Sequence, residues 1–336
     1  MPRRRQHYTE EDVRVRPSRR GTRPRSKQRP DHADAVAGLL TAVDRGRYHV
    51  LTDAGTPVLA IKARELGRGA LVVGDRVDLV GDVSGAEGTL ARVVRVHERT
   101  TVLRRSAEDS ESHQRAIVAN ADQLVIVTAL ADPEPRPRMV DRCMVAAFDA
   151  GMDALLCLTK ADLAPPEPFL QRYAGLDVPA VTTRQTEGVV RGLADVREHL
   201  VGRMSVLVGH SGVGKSTLVN ALVPDAGRAI GVVNVVTGRG RHTSSSAVAL
   251  ALPEGGWIID TPGVRSFGLA HVDPDRFLAA FTDLAEVARD CPRGCTHADD
   301  APDCALDEWV TGAGPVGRAR LESFRRLLAS RLAGDD

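Results

Sequence analysis

The sequence predicts a multidomain protein in which a small β-barrel precedes an α/β domain and a small helical domain. Five short runs of β-forming residues fall within residues 33–103, separated by turns rich in Gly and Asp. Strand-like and helix-like runs then alternate over residues 104–272, which is typical of a mostly parallel sheet covered by helices. Three cysteines and one histidine cluster ahead of a charged helix within residues 273–336.

The composition separates a basic N-terminal segment from a mildly acidic body. Residues 1–30 contain eleven Arg or Lys and three Asp or Glu, a net charge of +8, whereas the whole chain of 336 residues carries +1. Residues 1–32 contain too few apolar side chains to offset the entropy of ordering, so we expect a disordered basic arm. Its charge predicts contact with a polyanion such as RNA, and a solubilising tail is the alternative.

Several classes of protein are disfavoured. No apolar run approaches the length of a membrane span, and the basic N-terminus is not followed by the apolar segment of a secretory signal. Three of the five cysteines lie beside a histidine, which favours a cytosolic metal site over disulfides. We therefore expect a cytoplasmic protein without a membrane partner, and, because no feature indicates an obligate dimer, a monomer.

Residues 33–103 are expected to form a barrel of the OB type, although strand spacing alone does not separate it from an SH3-like barrel. Tyr48 is the only aromatic residue there, so RNA would be contacted through its backbone and not by base stacking. The predicted strands are Ala35–Thr41, Tyr48–Thr52, Pro57–Ile61, Asp75–Val80 and Leu90–His97. The candidate RNA contacts are Lys62, Arg64, Arg68, Arg99, Arg104 and Arg105.

The α/β region is read from buried runs that alternate with amphipathic ones. The predicted strands are Leu124–Thr128, Ala154–Leu158, Val178–Thr182, Met204–Val208, Val248–Leu252 and Trp257–Ile259. The predicted helices are Val140–Ala150, Pro168–Ala174, Val189–Leu200, Ser216–Leu222 and Asp273–Ala288, and a last charged helix covers Pro315–Leu332. This alternation predicts a doubly wound sheet.

A phosphate-binding loop follows the predicted strand Met204–Val208 and opens a helix. The stretch Gly209–Ser216 fits the pattern G-x-x-x-x-G-K-[ST], in which backbone N–H groups and the helix N-terminus bind phosphate oxygens. Lys215 would reach the β- and γ-phosphates, and Ser216 would hold Mg²⁺. The predicted nucleotide-binding residues of this loop are Gly209, His210, Ser211, Gly212, Val213, Gly214, Lys215, Ser216 and Thr217.

Thr159-Lys160-Ala161-Asp162 directly follows the strand Ala154–Leu158 and fits the guanine-recognition pattern [NT]KxD. The Asp162 carboxylate can accept from guanine N1–H and the N2 amine, a pair of donors that adenine does not offer. Lys160 would lay its alkyl stem along the base. A solvated turn is the alternative for these four residues, and a P-loop ATPase or kinase is the alternative for the chain.

Two further stretches match nucleotide-sensing segments. Asp260-Thr261-Pro262-Gly263 fits the pattern DxxG, in which Asp260 would bind Mg²⁺ through water and the Gly263 amide would sense the γ-phosphate. The polar segment Gly238–Ser245 fits a switch loop whose Thr243 would provide a second hydroxyl to Mg²⁺. The guanine-recognition stretch precedes the phosphate loop, which is the reverse of the usual order, so the sequence predicts a circular permutation of the GTPase sheet.

Cys291, Cys295, His297 and Cys304 provide three thiolates and one imidazole within fourteen residues. Four such ligands fill a tetrahedral site, which suits one structural Zn²⁺ per chain. Asp303 or Asp299 is the alternative fourth ligand if Cys304 does not reach. Cys143 and Cys157 lie in apolar runs and are assigned to the core.

Together these stretches resemble the RsgA (YjeQ) family, the ribosome small-subunit-dependent GTPase A, over about residues 34–336. Further support comes from Arg99–Ser106, Ala119–Gln123 and Gly240–Ser245. The resemblance implies an OB domain at residues 33–103, a circularly permuted GTPase domain at residues 104–272 and a zinc-binding domain at residues 273–336. It also implies GTP hydrolysis in late maturation of the 30S subunit, binding of 16S rRNA, and stimulation by the subunit.

The catalytic residues are expected to be His242, Thr243 and Lys215. Val264 follows the DxxG glycine where many GTPases have a water-orienting glutamine, so another group must complete the site. His242 lies beside Thr243 and can exchange a proton near neutral pH, and the family resemblance indicates the same histidine. The alternatives are a polar switch residue that touches RNA and, for the whole protein, an RNA-binding assembly checkpoint in which GTP acts mainly as a conformational switch.

Overall fold

The computed structural model describes only part of the chain. The described residues are 32–66, 71–107, 110–224, 247–261, 267, 269, 272 and 277–330, with the backbone alone at 105–107 and 110–114. The predicted arm, His242, Thr243, Gly263 and Arg68 lie outside them. The chain divides into two units, Met1–Ala33 and Asp34–Asp336, and all the elements below belong to the second.

The N-terminal strands form a closed five-stranded barrel, which confirms the predicted OB type. The strands are β1 (Val36–Asp44), β2 (Arg47–Thr52), β3 (Pro57–Lys62), β4 (Arg76–Gly81) and β5 (Ala91–Val96). Their order in the barrel is β1-β2-β3-β5-β4, and β4 pairs back with β1. Leu40, Val50 and Leu79 point into its core and are at most 1% exposed. A short 3₁₀ helix at Arg64–Leu66 follows β3.

The α/β region contributes six neighbouring strands to one sheet. They are β8 (Gln123–Ala129), β9 (Asp153–Thr159), β10 (Ala180–Thr182), β13 (Met204–Val208), β14 (Val248–Ala251) and β15 (Trp257–Asp260). Their order is β10-β9-β8-β13-β15-β14, and all are parallel except β14, which also pairs with β1 of the barrel. Every residue of β8 is buried, because helices cover both faces of the sheet. Parallel strands bring their carboxyl ends to one edge, where ligands of such sheets bind.

Seven α-helices are present in the described residues. They are α1 (Pro137–Asp149), α2 (Glu167–Gln171), α3 (Leu193–Leu200), α4 (Lys215–Leu222), α5 (Thr282–Val287), α6 (Ala305–Gly312) and α7 (Gly314–Ser330), and a 3₁₀ helix at Ala288–Asp290 follows α5. Helix α1 packs on the sheet and on α7, so the C-terminal helices share one hydrophobic core with the α/β region. Of the described helices, none combines the length and apolarity that crossing a membrane requires.

The barrel and the α/β sheet are continuous through a pair between β1 and β14, in which Ala42 lies opposite Val248. Two polar contacts reinforce this junction. The fully buried Asp75 carboxylate accepts from Arg99 Nε at 2.6 Å and Nη2 at 2.8 Å, and Asn120 Nδ2 donates to Gly74 O at 2.8 Å. We therefore assign Arg99 a structural role, although the sequence suggested contact with RNA.

Some predictions of local structure are wrong. The predicted helix Val189–Leu200 begins as a strand, β12 (Val189–Arg191), which pairs with β11 (Arg184–Thr186), because Gly192 at φ +85° separates the strand from α3. The predicted helix Asp273–Ala288 is interrupted, because residues Ala279–Phe281 form a turn before α5 begins.

Several elements of the described residues were not predicted from the sequence. They are the hairpin of β6 (Val102–Ala107) and β7 (Ser110–Ala119), strand β11, helix α6 and the two short 3₁₀ helices. The domain boundaries at 103/104 and 272/273 stay predictions.

Candidate nucleotide-binding site and metal centre

The phosphate loop lies between β13 and α4, as the sequence predicts. A Cβ atom at Gly209 would lie 2.5 Å from the carbonyl oxygen of Val127, so only glycine allows this approach to β8. Gly214, at φ +89°, immediately precedes α4 and leaves Lys215 as the first helical residue. The loop therefore presents the N-terminus of an eight-residue helix at the carboxyl edge of the sheet.

Two charged groups predicted to serve phosphate and Mg²⁺ lie together. Lys215 Nζ contacts the carboxylate of Asp260, the last residue of β15, and lies 3.4 Å from the carbonyl oxygen of Thr261. Both side chains are largely buried, at 13% and 19% exposure. A buried ammonium and carboxylate at a helix N-terminus suit a site for a phosphate group with a divalent cation.

The guanine-recognition stretch is joined to the phosphate loop by one hydroxyl group. Thr159 ends β9, and its Oγ1 donates to the carbonyl oxygen of Val213 at 2.6 Å. Asp162 Oδ1 accepts from the Gln185 N–H at 2.9 Å, which fixes the plane of the carboxylate. These two hydrogen bonds hold the stretch in a defined turn, in which Asp162 is exposed.

A cavity of about 270 Å³ separates the two motifs. Thr159, Lys160 and Asp162 line one side of it, and Gly214 and Thr217 line the other. The remaining lining residues are Thr183–Gln185 and the apolar Leu163, Val190 and Leu218. The position matches that of a base whose edge faces Asp162 and whose phosphates reach α4.

The loop between β8 and α1 also belongs to this edge. Lys160 Nζ donates to the carbonyl oxygen of Asp132, and the Leu130 N–H donates to the carbonyl oxygen of Thr159 at 3.0 Å. A Cβ atom at Gly212 would lie 3.5 Å from Pro133 Cδ, so this loop lies near the phosphate loop. Neither this loop nor Thr183–Gln185 was predicted from the sequence. Both follow strands at the carboxyl edge of the sheet, where ligand-binding loops are expected.

His210 lies within the phosphate loop and is partly buried. Its Nδ1 lies 2.9 Å from the carbonyl oxygen of Ser211. Burial, opposed by this hydrogen bond and assisted by nearby Arg136, lowers the pKa of the His210 imidazole. The ring is therefore neutral at physiological pH.

The four predicted metal ligands converge, with all ligand atoms within 4.8 Å of one another. Cys291 Sγ lies 3.9 Å from Cys304 Sγ and 3.6 Å from His297 Nδ1. Two thiolates on a tetrahedral zinc are about 3.8 Å apart, which matches this spacing. The alternative ligands Asp303 and Asp299 are not part of the group, so the Cys₃His set is complete.

The chain around the cluster explains its geometry. His297 and Asp303 have positive φ values of 56° and 52°, so the backbone reverses twice between Cys295 and Cys304. The Ala305 N–H at the start of α6 donates to Cys291 Sγ, with an N···S distance of 3.3 Å. The donor set and its enclosure therefore fit a structural metal ion.

Comparison with known proteins gives concordant results. A family model described as RsgA GTPase matches residues 96–270. Proteins named small ribosomal subunit biogenesis GTPase RsgA include one from Chlorobaculum parvum, 34% identical over 310 residues (88% of this chain and 98% of the relative). Another, from Pseudomonas syringae pv. tomato, is 38% identical over 268 residues (78% of this chain and 75% of the relative).

Two solved structures share the fold. YjeQ from Thermotoga maritima superposes with a TM-score of 0.65 at 25% identity and covers 90% of this chain and 100% of its own. YloQ, described as a circularly permuted GTPase, gives a TM-score of 0.62 at 22% identity and covers 92% and 100%. The similarity to YloQ shows the fold alone, and that fold agrees with the permuted order of the motifs.

Proposed function

The chain belongs to the RsgA GTPase family, and from this membership and the nucleotide site we propose that it hydrolyses GTP to GDP and phosphate in late maturation of the 30S ribosomal subunit. The subunit stimulates turnover in this proposal. The observation that carries it is the shared cavity of about 270 Å³, which is lined by Asp162 on one side and by the start of α4 on the other. That arrangement suits a guanine base with its phosphates on a helix N-terminus.

The nucleotide binds with Mg²⁺, which would neutralise charge on the β- and γ-phosphates. Ser216, Thr243 and Asp260 hold the ion, and Lys215 contacts the phosphate oxygens. Support comes from the contact between Lys215 and Asp260. Of the remaining predicted nucleotide contacts, Ala161 and Gly263 act through their backbones, and His242 activates or orients water.

The Cys₃His cluster binds one structural Zn²⁺. Its support is the match between the measured Sγ–Sγ spacing of 3.9 Å and tetrahedral coordination. In this role the ion stabilises the loop between Ala288–Asp290 and α6, and it supplies no chemistry to GTP.

The macromolecular partner is the 30S subunit with its 16S rRNA, which the chain binds as a cytoplasmic monomer. Support comes from the relatives, which are named small ribosomal subunit biogenesis GTPases. In the alternative, an assembly checkpoint, GTP only selects a conformation and hydrolysis resets binding. Equal affinity of the GTP-analogue and GDP forms for 30S subunits would exclude that alternative.

Replacement of the guanine-reading carboxylate tests the nucleotide assignment. In Asp162→Asn the paired hydrogen bonds to guanine are lost, and we expect the Kd for GDP to rise about 100-fold. The Kd for ADP should remain as weak as in the wild type. Calorimetric titration of both nucleotides measures this, and an unchanged GDP affinity would contradict guanine recognition by Asp162.

A further inference from the structure

Arg325 of α7 contacts the loop that carries the predicted metal ligands, although it offers no ligand itself. We propose that Arg325 is a positioning residue of the metal centre, whose guanidinium holds this loop in the metal-binding conformation and thereby sets how tightly Zn²⁺ is held. The inference rests on the proposed binding of zinc by the Cys₃His cluster. It goes beyond that assignment, because it gives part of the affinity to a residue outside the ligand set.

The Arg325 side chain is largely buried, at 11% exposure, and each of its three guanidinium nitrogens makes a contact. Nε donates to the carbonyl oxygen of His297 at 3.1 Å, and Asp299 Oδ1 lies 3.4 Å from the same nitrogen. Nη1 and Nη2 donate to the two carboxylate oxygens of Asp307 at 2.7 and 3.0 Å. A bidentate pair with a carboxylate fixes the plane of the guanidinium, so Nε is held towards the His297 carbonyl group.

The ligand His297 has an unfavourable backbone conformation. Its φ of 56° lies in the left-handed region, which is disfavoured for any residue with a Cβ atom. Its Nδ1 lies 3.6 Å from Cys291 Sγ and 3.9 Å from Cys304 Sγ. Rotation of the backbone at His297 would move the ring away from both sulfur atoms. The hydrogen bond from Arg325 to the His297 carbonyl group opposes that rotation whether or not the metal is bound.

Asp307 connects the same guanidinium to a second ligand. Cys304 immediately precedes α6, and the Asp307 N–H donates to the Cys304 carbonyl oxygen at 3.0 Å. Fixing the Asp307 carboxylate therefore fixes the first turn of α6 and the cysteine that precedes it. Two of the four ligands, His297 and Cys304, thus depend on one side chain for their backbone position.

The hydrophobic core sets the position of Arg325 itself. The preceding residue, Phe324, is fully buried and stacks on Phe277 with 5.3 Å between ring centroids, and Leu328 is 6% exposed. The guanidinium therefore projects from a helix that is anchored independently of the metal. Removal of side chains that orient metal ligands typically weakens metal binding about 10- to 100-fold, and we expect an effect of that size here.

The affinity of the full-length chain for zinc tests the proposal in Arg325→Met, which keeps an unbranched apolar stem and removes every donor. Competition with a chromogenic chelator for Zn²⁺ should give a Kd at least about tenfold weaker than that of the wild type. Co²⁺ bound to R325M should keep the absorption bands of a tetrahedral thiolate site, because all four ligands remain.

Arg326→Met is the matched control, at the next residue of α7. The Arg326 Nε lies 3.5 Å from the carboxylate of Asp141, which is 3% exposed, and the guanidinium lies over the Tyr173 ring at 5.4 Å. R326M should therefore lower the melting temperature, because it removes a partner of a buried carboxylate. Its Kd for Zn²⁺ should stay within about twofold of that of the wild type.

The outcomes separate this inference from the zinc assignment. A wild type that binds neither Zn²⁺ nor Co²⁺ overturns both. If the wild type binds Zn²⁺, the positioning role alone is overturned by an equally tight R325M, by an equal loss of affinity in R326M, or by altered Co²⁺ bands in R325M.

A second variant covers the case in which R325M fails to fold. In Arg325→Lys a single ammonium group replaces three donors in a fixed plane, so Zn²⁺ binding should still weaken at least about threefold. Undiminished affinity in R325K would overturn the proposal.

Discussion

Thr159 illustrates how a single side chain makes two motifs one site. Its hydroxyl group is buried and donates to the carbonyl oxygen of Val213, so the guanine-recognition turn and the phosphate loop are held at a fixed separation. The spacing of base and phosphates in a nucleotide is also fixed. This hydrogen bond therefore contributes to affinity by preorganisation as well as to stability.

Replacement of Thr159 by the isosteric valine should separate these effects. In Thr159→Val we expect a loss of about 1 kcal/mol in the free energy of unfolding and about tenfold weaker GDP binding. Thr128→Val is the control, because the buried Thr128 hydroxyl has no hydrogen-bond partner among the described residues. Urea unfolding and GDP titration measure both effects, and equal behaviour of the two variants would contradict this role of Thr159.

His242 tests the catalytic assignment at the same scale. In His242→Ala we expect turnover stimulated by the 30S subunit to fall about 100-fold with GTP affinity unchanged, because only the water-activating group is lost. His210→Ala is the comparison variant, because His210 lies in the phosphate loop, so its loss should change GTP affinity and not the stimulated step. Unchanged stimulated turnover in H242A would remove the residue from the mechanism.

Residues whose identity the chemistry requires could be named from the sequence, and residues that act through the backbone could not. Lys215, Asp162 and Cys304 are needed for their ammonium, carboxylate and thiolate groups, and the pattern around each is specific. Asp132 and Gln185 contact the site through a carbonyl oxygen and an N–H, which every residue other than proline possesses. Their contribution required the arrangement of strands in space.

At the scale of elements, the junction between the barrel and the α/β sheet depends on a close backbone approach. A Cβ atom at Gly74 would lie 1.9 Å from the carbonyl oxygen of Ala119, and the residue has φ +91°. Gly74 also hydrogen-bonds to Leu40 of β1 through its N–H, at 2.9 Å. One glycine therefore allows strand β1 and the end of β7 to be held by the same turn.

Gly74→Ala should destabilise the protein by about 3 kcal/mol, of which about 1 kcal/mol is the cost of a side chain at positive φ. Gly46→Ala isolates that smaller cost, because Gly46 has φ +84° and open space around the added methyl group. Thermal unfolding of both variants gives the difference. If the two variants lose the same stability, the junction is not as tightly packed as the distances indicate.

Elements with a strong local signal could be predicted, and those stabilised by distant partners could not. The barrel runs and the buried strands β8, β9 and β13 alternate or remain apolar over their length, so their type was evident. Strand β12 is three residues long and exists because it pairs with β11, while the hairpin β6–β7 carries many charged residues. Helix propensity in Val189–Leu200 was outweighed by that pairing and by Gly192.

At the scale of the whole molecule, the metal cluster is anchored in the core that covers α1. Phe277 and Phe324 stack at 5.3 Å between centroids, and Phe281 meets Phe148 of α1 edge-on at 5.8 Å. Cys304 and Leu306 belong to the same core. Loss of the metal should therefore loosen the packing of α6 and α7 on α1, and not only the loop that binds the ion.

Zinc removal tests this dependence. Purified protein should contain one zinc per chain, and Cys295→Ser should lose it with a melting temperature lower by about 5–10 °C. Metal content by mass spectrometry and a thermal scan measure both. Asp303→Asn is the control and should retain zinc, so loss of zinc in D303N would show that the ligand set is assigned wrongly.

The permuted order of motifs has a consequence for the whole chain. Strand β15 ends at Asp260, and the chain continues through Phe267 into the core beneath α7. Gly263, which is proposed to sense the γ-phosphate, therefore lies on the segment that leads to the Cys₃His cluster. The order of motifs in the sequence predicted this link, but the burial of Phe267 in the core depends on tertiary packing and has no local signature.

The most direct test of the account is phosphate release from GTP and from ATP, with and without purified 30S subunits. The account predicts slow release from GTP alone, at least about tenfold faster release with 30S subunits, and none above background from ATP. Release from ATP at a rate equal to that from GTP, or a GTP rate that 30S subunits leave unchanged, would contradict a guanine-specific enzyme of subunit maturation.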